Sequence, residues 1–159
     1  ELAYTIAHCG DYNYFSFKGM RSKGNNELHV TSTHYDDQIA LDLVRGSQRT
    51  VAIHGCEGNE SVAYIGGSDD RLIELITESL EDIGISVREA PHHISGTQEN
   101  NIVNMTQTQG GVQLELTAQL RKELFKNRKS SRKNRENKDN WDDLMYDFAD
   151  AMKKAIERA

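Results

Sequence analysis

The chain has 159 residues and a formal net charge of −6, which suits one domain with a single hydrophobic core. No apolar run of about 18 residues is present to span a membrane, and the first residues lack the pattern of a secretory signal. Position 1 is Glu rather than Met, so we expect a processed chain or a piece of a longer one. Cys9 and Cys56 are too few for a disulfide framework; a single bridge could form, but two buried thiols are the expectation.

Charge is unevenly distributed along the chain. Residues 1–124 carry nine Lys and Arg against 18 Asp and Glu, whereas residues 126–138 carry seven basic residues and one Glu. The acidic main body argues against nucleic-acid binding there. The basic segment predicts a solvated linker; the alternative is a contact with nucleic acid or an anionic surface, for which it offers no aromatic stacking platform.

Apolar patterning predicts strands that alternate with helices. The predicted strands are residues 28–33, 50–54, 61–65, 85–88 and 112–117. The predicted helices run from Asp36 to Val44, from an N-cap at Ser68 to Ile83, from Thr117 to Phe125, and onward from an N-cap at Asn140. Between them, residues 90–111 predict a long polar loop. This order indicates a single α/β domain with a mixed, mostly parallel sheet flanked by helices.

The final helix carries a wide apolar stripe. Its large members are Trp141, Leu144, Met145, Phe148, Met152 and Ile156. Burial of each side chain contributes roughly 1.5–3 kcal/mol to stability, so we expect the stripe to pack against another apolar surface. Because it shows no clean heptad repeat, we expect the helix to dock on its own domain rather than on a second copy.

Three features could carry chemistry. His54 lies at the C-terminal end of a short buried strand, where open α/β sheets place ligand-binding groups, although a hydrogen-bonded structural role is common for such a histidine. Glu115 lies on the polar face of the strand 112–117; if dry, its raised pKa would suit a general base, and the alternative is an exposed strand face. The pair His92 and His93 could bind a metal, but adjacent side chains rarely point the same way.

Several motifs occur together in a recognisable order. They are YFSFKG (14–19), NELHVTS (26–32), VAIHGC (51–56), YIGG (64–67), NIVN (101–104) and GVQLELT (111–117). Together they resemble the poly-γ-glutamate hydrolases of phages and bacilli, over about residues 1–125. The resemblance implies a carboxypeptidase A-like fold and a zinc-dependent hydrolase, with one zinc ion, that cuts γ-linked glutamate amide bonds in the capsular polymer.

The resemblance also implies roles for individual residues. By position, His54 matches one of three zinc ligands and Glu115 matches the catalytic carboxylate. Three ligands leave one site for water, whose proton a nearby carboxylate accepts, while zinc polarises the amide carbonyl. In the family the other two ligands lie in a segment that leads into Glu-Leu-Ala, which here is residues 1–3, so we expect them to precede Glu1.

A polyanionic substrate also needs cations. The candidates are Arg21, Lys23, Arg71 and Arg88, and Arg21 is preferred because it lies in a loop just before the predicted strand 28–33. A solvated surface charge is the alternative for each.

The predicted organisation is therefore a catalytic domain over 1–125, a basic linker over 126–138 and an amphipathic helix over 139–159. A hydrolase of this family would act outside the cell, either secreted or released on phage lysis. The competing functions are a non-enzymatic polyanion- or nucleic-acid-binding module and a catalytically inactive homologue.

Overall fold

The chain folds into six helices and four strands, which a computed structural model describes over residues 1–159. The helices are α1 (Leu2–Gly10), α2 (Gln38–Arg45), α3 (Asp70–Asp82), α4 (Ala118–Glu123), α5 (Arg132–Arg135) and α6 (Asp143–Glu157). The strands are β1 (Val51–Cys56), β2 (Val62–Gly67), β3 (Ser86–Glu89) and β4 (Val112–Thr117). None of the helices has the length and apolarity needed to cross a bilayer.

The strands form one sheet in the order β1-β4-β2-β3. The pairs β1–β4 and β2–β3 are parallel, and β2–β4 is antiparallel. The prediction of a mixed, mostly parallel sheet is therefore confirmed. The order also makes β4 an interior strand, and all six of its residues are buried.

The predicted strand at residues 28–33 is wrong. This stretch passes through two 3₁₀ turns, Asn25–Leu28 and Ser32–His34. Backbone angles between the turns are extended, as at His29 (φ −70°, ψ 126°), which is what β-branched residues favour. A strand also needs a partner, and no neighbouring strand pairs with this segment.

The hydrophobic core lies on one face of the sheet. Helix α6 packs between α1 and α3 on that face. From α6 the core receives Trp141 at the entrance to the helix, then Met145, Phe148 and Met152, all at most 5% exposed. The predicted docking of this helix on its own domain is thus what the structure shows.

Four of the six helices, α2, α3, α4 and α6, carry a side-chain cap at the N-terminus, though not always the predicted one. Asp69 caps α3 by accepting from Leu72 N at 3.0 Å, whereas the hydroxyl of Ser68, the predicted cap, donates to Asn104 Oδ1. Likewise α6 is capped by Asp142, because the predicted cap, Asn140, is part of a preceding 3₁₀ turn.

Two further expectations about burial are corrected. The helix predicted from Asp36 to Val44 rests on the helical spacing of Ile39, Leu43 and Val44, which predicts one buried face, but Ile39 is 73% exposed and faces solvent. Both cysteines are free thiols, as expected, but neither is fully buried: Cys9 is exposed and Cys56 is partly exposed. The Sγ of Cys9 lies 2.9 Å from Asp150 Oδ1 on the surface of α6.

Candidate active site

Four polar side chains form a row across the sheet, on the face opposite the core. Strand register places His54 of β1 beside Glu115 of β4, Glu115 beside Tyr64 of β2, and Tyr64 beside Arg88 of β3. Residues paired in register share a face. We call these four residues the cross-strand row.

Glu115 is the buried centre of the cross-strand row. Only 8% of its side chain is exposed, and this burial raises the pKa of its carboxyl, against smaller lowering effects of a hydrogen bond from Gln113 and the charge of Arg121. Gln113 Nε2 donates to Glu115 Oε1 at 3.0 Å. Oε2 accepts no hydrogen bond and is not a buried unpartnered atom, so this oxygen reaches the accessible surface.

A buried network of amide side chains fixes the orientation of the Glu115 carboxylate. Asn101 Nδ2 donates to Gln113 Oε1 at 3.2 Å, and Gln113 Nε2 also donates to Ile94 O at 3.1 Å. Gln113 and Asn101 are at most 5% exposed. Loop 90–111 therefore has a defined role: it holds the side chain that orients Glu115.

His54 lies next to Glu115 with its ring half-buried. Its Nδ1 is 3.9 Å from Glu115 Oε1, and 37% of the side chain is exposed. Burial lowers the pKa of His54, and the charge of the nearby His29 lowers it further. The imidazole is therefore neutral at pH 7, so the contact with Glu115 is not an ion pair. A neutral, accessible imidazole is the form that binds metals.

Arg88 and Tyr64 occupy the far side of the row. The guanidinium of Arg88 donates to Glu60 Oε2 at 2.8 Å and remains half exposed. Two interstrand spacings, roughly 10 Å, separate the backbones of Arg88 and Glu115. A long arginine side chain at that distance can contact an anionic group of a ligand that lies across Tyr64.

A second arginine closes the carboxyl ends of β1 and β4. Arg121 donates from Nε to Leu116 O at 3.2 Å and from Nη2 to Cys56 O at 3.0 Å. These are the ends at which parallel strands present ligand-binding groups. The positive charge of Arg121 also acts on Glu115, whose pKa it lowers.

The structure brings two of the three predicted site residues together. His54 and Glu115 are neighbours, as described. Arg21 lies in an exposed turn, where its Nη1 donates to Glu27 Oε2 at 2.8 Å, and none of its hydrogen bonds or ion pairs reaches the row. His92 and His93 are exposed in a 3₁₀ turn and do not join the site.

Sequence reasoning missed several residues of the candidate active site. Gln113 and Asn101 have no signal in a single sequence beyond lying near Glu115 and in the polar loop. His29 belongs to one of the recognised motifs, but only the fold brings it near His54. Tyr64 and Arg88 become site candidates through strand register alone.

The side chains around His54 supply only part of the ligand set that a zinc ion needs. A catalytic zinc takes three protein ligands and keeps an open position. Across the 159 residues, no three His, Cys, Asp or Glu side chains lie close enough to hold a metal. His54 is suited to be one ligand, and Glu115 lies beside it, but these residues do not by themselves make a complete zinc site.

Comparison with known proteins places this arrangement in a family. The family model of poly-gamma-glutamate hydrolase matches residues 1–151. The SPbeta prophage-derived UPF0714 protein YoqZ of Bacillus subtilis (strain 168) is 35% identical over 127 residues, which are 79% of this chain and 46% of YoqZ. The chain thus spans about half the length of that curated relative.

Two solved structures resemble the fold closely. The structure of a bacteriophage poly-gamma-glutamate hydrolase matches with a TM-score of 0.92 at 30% identity, over 99% of this chain and 75% of the other. The zinc-free apo structure of YNDL matches with a TM-score of 0.86 at 26% identity, over 99% of this chain and 76% of the other. These matches confirm the carboxypeptidase-like fold. The chain belongs to the poly-gamma-glutamate hydrolase family.

Proposed function

We propose that this chain carries the catalytic carboxylate of a hydrolase that cleaves γ-glutamyl amide bonds of poly-γ-glutamate. The observation that carries the proposal is the cross-strand row. It combines an acceptor carboxylate, a neutral imidazole and a cation on one face of the sheet of a chain that belongs to this family.

Glu115 has the role of proton acceptor. Its burial favours proton uptake, Gln113 holds Oε1, and the free Oε2 reaches the accessible surface. A carboxylate in this state can take a proton from a water molecule and return it to the leaving amine.

Arg88 has the role of substrate recognition. Each unit of poly-γ-glutamate carries a free α-carboxylate, and a guanidinium at the end of the row can bind it in competition with Glu60. Position in the row favours Arg88 over Arg21 for this role, although Arg21 can still contact a long polymer elsewhere.

Zinc dependence is part of the proposal. His54 would be one ligand of a single zinc ion, since its imidazole is neutral and accessible. The other ligands are not among the residues around the row, so the proposal for the metal is supported by the family and by His54 alone. We further propose that the protein acts outside the cell, where the polymer is found.

The experiment is an assay of polymer shortening with zinc present. Glu115→Gln should lower the rate by about 10²–10⁴-fold, because it keeps the shape and removes the base. It should also keep polymer binding. Glu89→Gln, a change on the exposed end of β3, is the matched control and should leave the rate unchanged. Poly-α-glutamate tests the γ linkage and should not be cut.

Two results would overturn this assignment. One is full activity of Glu115→Gln. The other is absence of hydrolysis by both this chain and a longer form of it, which would favour an inactive homologue. His54→Ala, compared by bound zinc per molecule in the longer form, tests the metal separately and should reduce retention.

A further inference from the structure

The basic segment, residues 126–138, is a strongly charged feature that the proposed function leaves unused. It carries seven Lys and Arg against one Glu, and Arg121 and Lys122 lie just before it on α4. We call the segment and these two residues the basic surface. The rest of the chain carries ten Lys and Arg against 24 Asp and Glu. A polyanion is therefore repelled by most of the molecule and attracted to the basic surface.

Hydrogen bonds hold the basic segment as a closed loop. Its two ends meet at a β-bridge between Phe125 and Trp141, and the indole Nε1 of Trp141 donates to Arg135 O at 2.8 Å. At the same end, Lys126 Nζ donates to Asp139 O at 3.1 Å. Because the loop is already held in place, a ligand that binds it pays little entropy for ordering the loop.

Three lysines of the basic surface are free to bind a ligand. Lys122, Lys129 and Lys133 are exposed and take part in none of the ion pairs of the structure. Three arginines of the segment, in contrast, each pair with a glutamate. An unpaired ammonium group can bind a carboxylate of a ligand without first breaking an ion pair.

The basic surface adjoins the candidate active site. Arg121 Nη2 donates to Cys56 O at 3.0 Å, and Cys56 lies two residues beyond His54 on β1. Lys122 is the next residue of α4, and it lines one cleft together with His54 and with Ser130 of the basic segment. A flexible chain bound at the cross-strand row can therefore continue along this cleft onto the basic surface.

We propose that the basic surface binds the part of a polycarboxylate chain that extends beyond the cleavage point, so that the protein holds its polymer over more units than the cross-strand row contacts. The identity of that polymer, poly-γ-glutamate, rests on the proposed function. Each unit carries one free carboxylate on a flexible chain. Lysine ammonium groups on their own flexible stems can follow such carboxylates without a fixed geometry.

Nucleic acid fits this surface less well. Residues 126–138 contain no aromatic side chain. The aromatic residues that flank the loop, Phe125 and Trp141, are only 6% and 5% exposed, so bases of a single strand cannot stack on them. Helix α5, within the segment, has four residues, which is too short to read the major groove of a duplex.

The test measures the binding of fluorescently labelled poly-γ-glutamate by anisotropy. Every variant also carries Glu115→Gln, so that the polymer is not cut during the measurement. In this background, Lys129→Gln combined with Lys133→Gln should weaken binding about tenfold and make its salt dependence shallower, because fewer counterions are displaced. Lys129→Arg combined with Lys133→Arg keeps both charges and should bind as tightly as the Glu115→Gln chain.

The matched control is Arg45→Gln combined with Lys154→Gln. Both residues are exposed, and they lie on α2 and α6, outside the basic surface. Neither takes part in an ion pair of the structure. This pair changes the net charge by the same amount as the lysine pair and should leave polymer binding nearly unchanged.

Three results would overturn the inference. The first is that the Glu115→Gln chain does not bind the polymer, and the second is that the lysine pair and the control pair lose the same affinity. The third is that single-stranded DNA binds more tightly than the polymer and depends on the same two lysines, which would assign the surface to nucleic acid. Because binding is measured without hydrolysis, a chain that binds polymer here but never cuts it contradicts the proposed function alone.

Discussion

Gln113 Nε2 donates a hydrogen bond to Glu115 Oε1 at 3.0 Å from two positions back on the same strand. Both side chains project from the same face of β4, which is why a spacing of two brings them together. The bond occupies one carboxylate oxygen and leaves the other for chemistry. Its position shows that this site is oriented from within the sheet, with loop 90–111 holding the donor.

Removing that donor should destabilise the fold. Gln113→Ala leaves the amide of buried Asn101 without its partner, so we expect a loss of about 1–3 kcal/mol. The control is Gln119→Ala. Gln119 Nε2 donates to Glu123 Oε1 on α4 near the surface, and its removal should cost less than about 0.5 kcal/mol. Urea midpoints of both variants give the comparison; equal losses would contradict a special role for Gln113.

The buried carboxyl predicts a pH-dependent stability. Burial raises the pKa of Glu115 above its unfolded value of 4.5, so the folded state holds this proton more tightly. Below pH 4.5 the group is protonated in both states, and as pH rises through the folded pKa its contribution to stability is lost. The Glu115→Gln variant has no ionisable group at this position and no such loss. Its free energy of unfolding, relative to that of the parent chain, should therefore increase from pH 4 to pH 8. Thermal melts at a series of pH values measure this; a difference independent of pH would contradict it.

Arg88 should contribute to polymer binding. Loss of a charge-assisted hydrogen bond to a carboxylate predicts about tenfold weaker binding of poly-γ-glutamate by Arg88→Gln, with a weaker salt dependence. Arg71→Gln is the matched control, since Arg71 is similarly exposed and bonded to Glu74 at 2.7 Å but lies on α3. Fluorescence anisotropy with labelled polymer measures both. Equal weakening in the two variants would indicate a general charge effect.

The packing of α6 predicts a large effect of one core residue. Phe148 is fully buried, and Phe148→Ala should cost about 3–5 kcal/mol. Tyr146 lies on the same helix at 45% exposure, so Tyr146→Ala should change stability by only a few tenths of a kcal/mol. Denaturant unfolding tests the pair, and a small loss for Phe148→Ala would mean that α6 does not hold the core.

Much of this architecture was readable from patterning. Strict alternation of apolar residues predicts β4, and the stripe of Met145, Phe148 and Met152 predicts a docked helix, because both patterns reflect burial directly. The stretch 28–33 shows the limit of composition: its residues favour extended backbone, but pairing depends on a partner that only the tertiary fold provides.

The candidate site, like the fold, could be predicted only in part from the sequence. His54 and Glu115 carry local signals: His54 ends the predicted strand 50–54, although β1 continues to Cys56 in the structure, and Glu115 is a carboxylate among apolar neighbours. Motif order adds the family. Tyr64 and Arg88 join them only through register between strands that are far apart in sequence. A one-residue shift of that register would turn each of them to the other face of the sheet. The cross-strand row therefore cannot be predicted from a single sequence.

The place of α6 between α1 and α3 has a consequence during synthesis. This helix lies C-terminal to every element that it covers. A nascent chain therefore emerges from the ribosome with the apolar faces of α1, α3 and the sheet uncovered, and these faces stay so until α6 has left the exit tunnel. Chains that terminate early would keep that surface exposed and be open to aggregation and to capture by chaperones and proteases. Completion of the core is thus a late step, set by translation as much as by the energetics of packing.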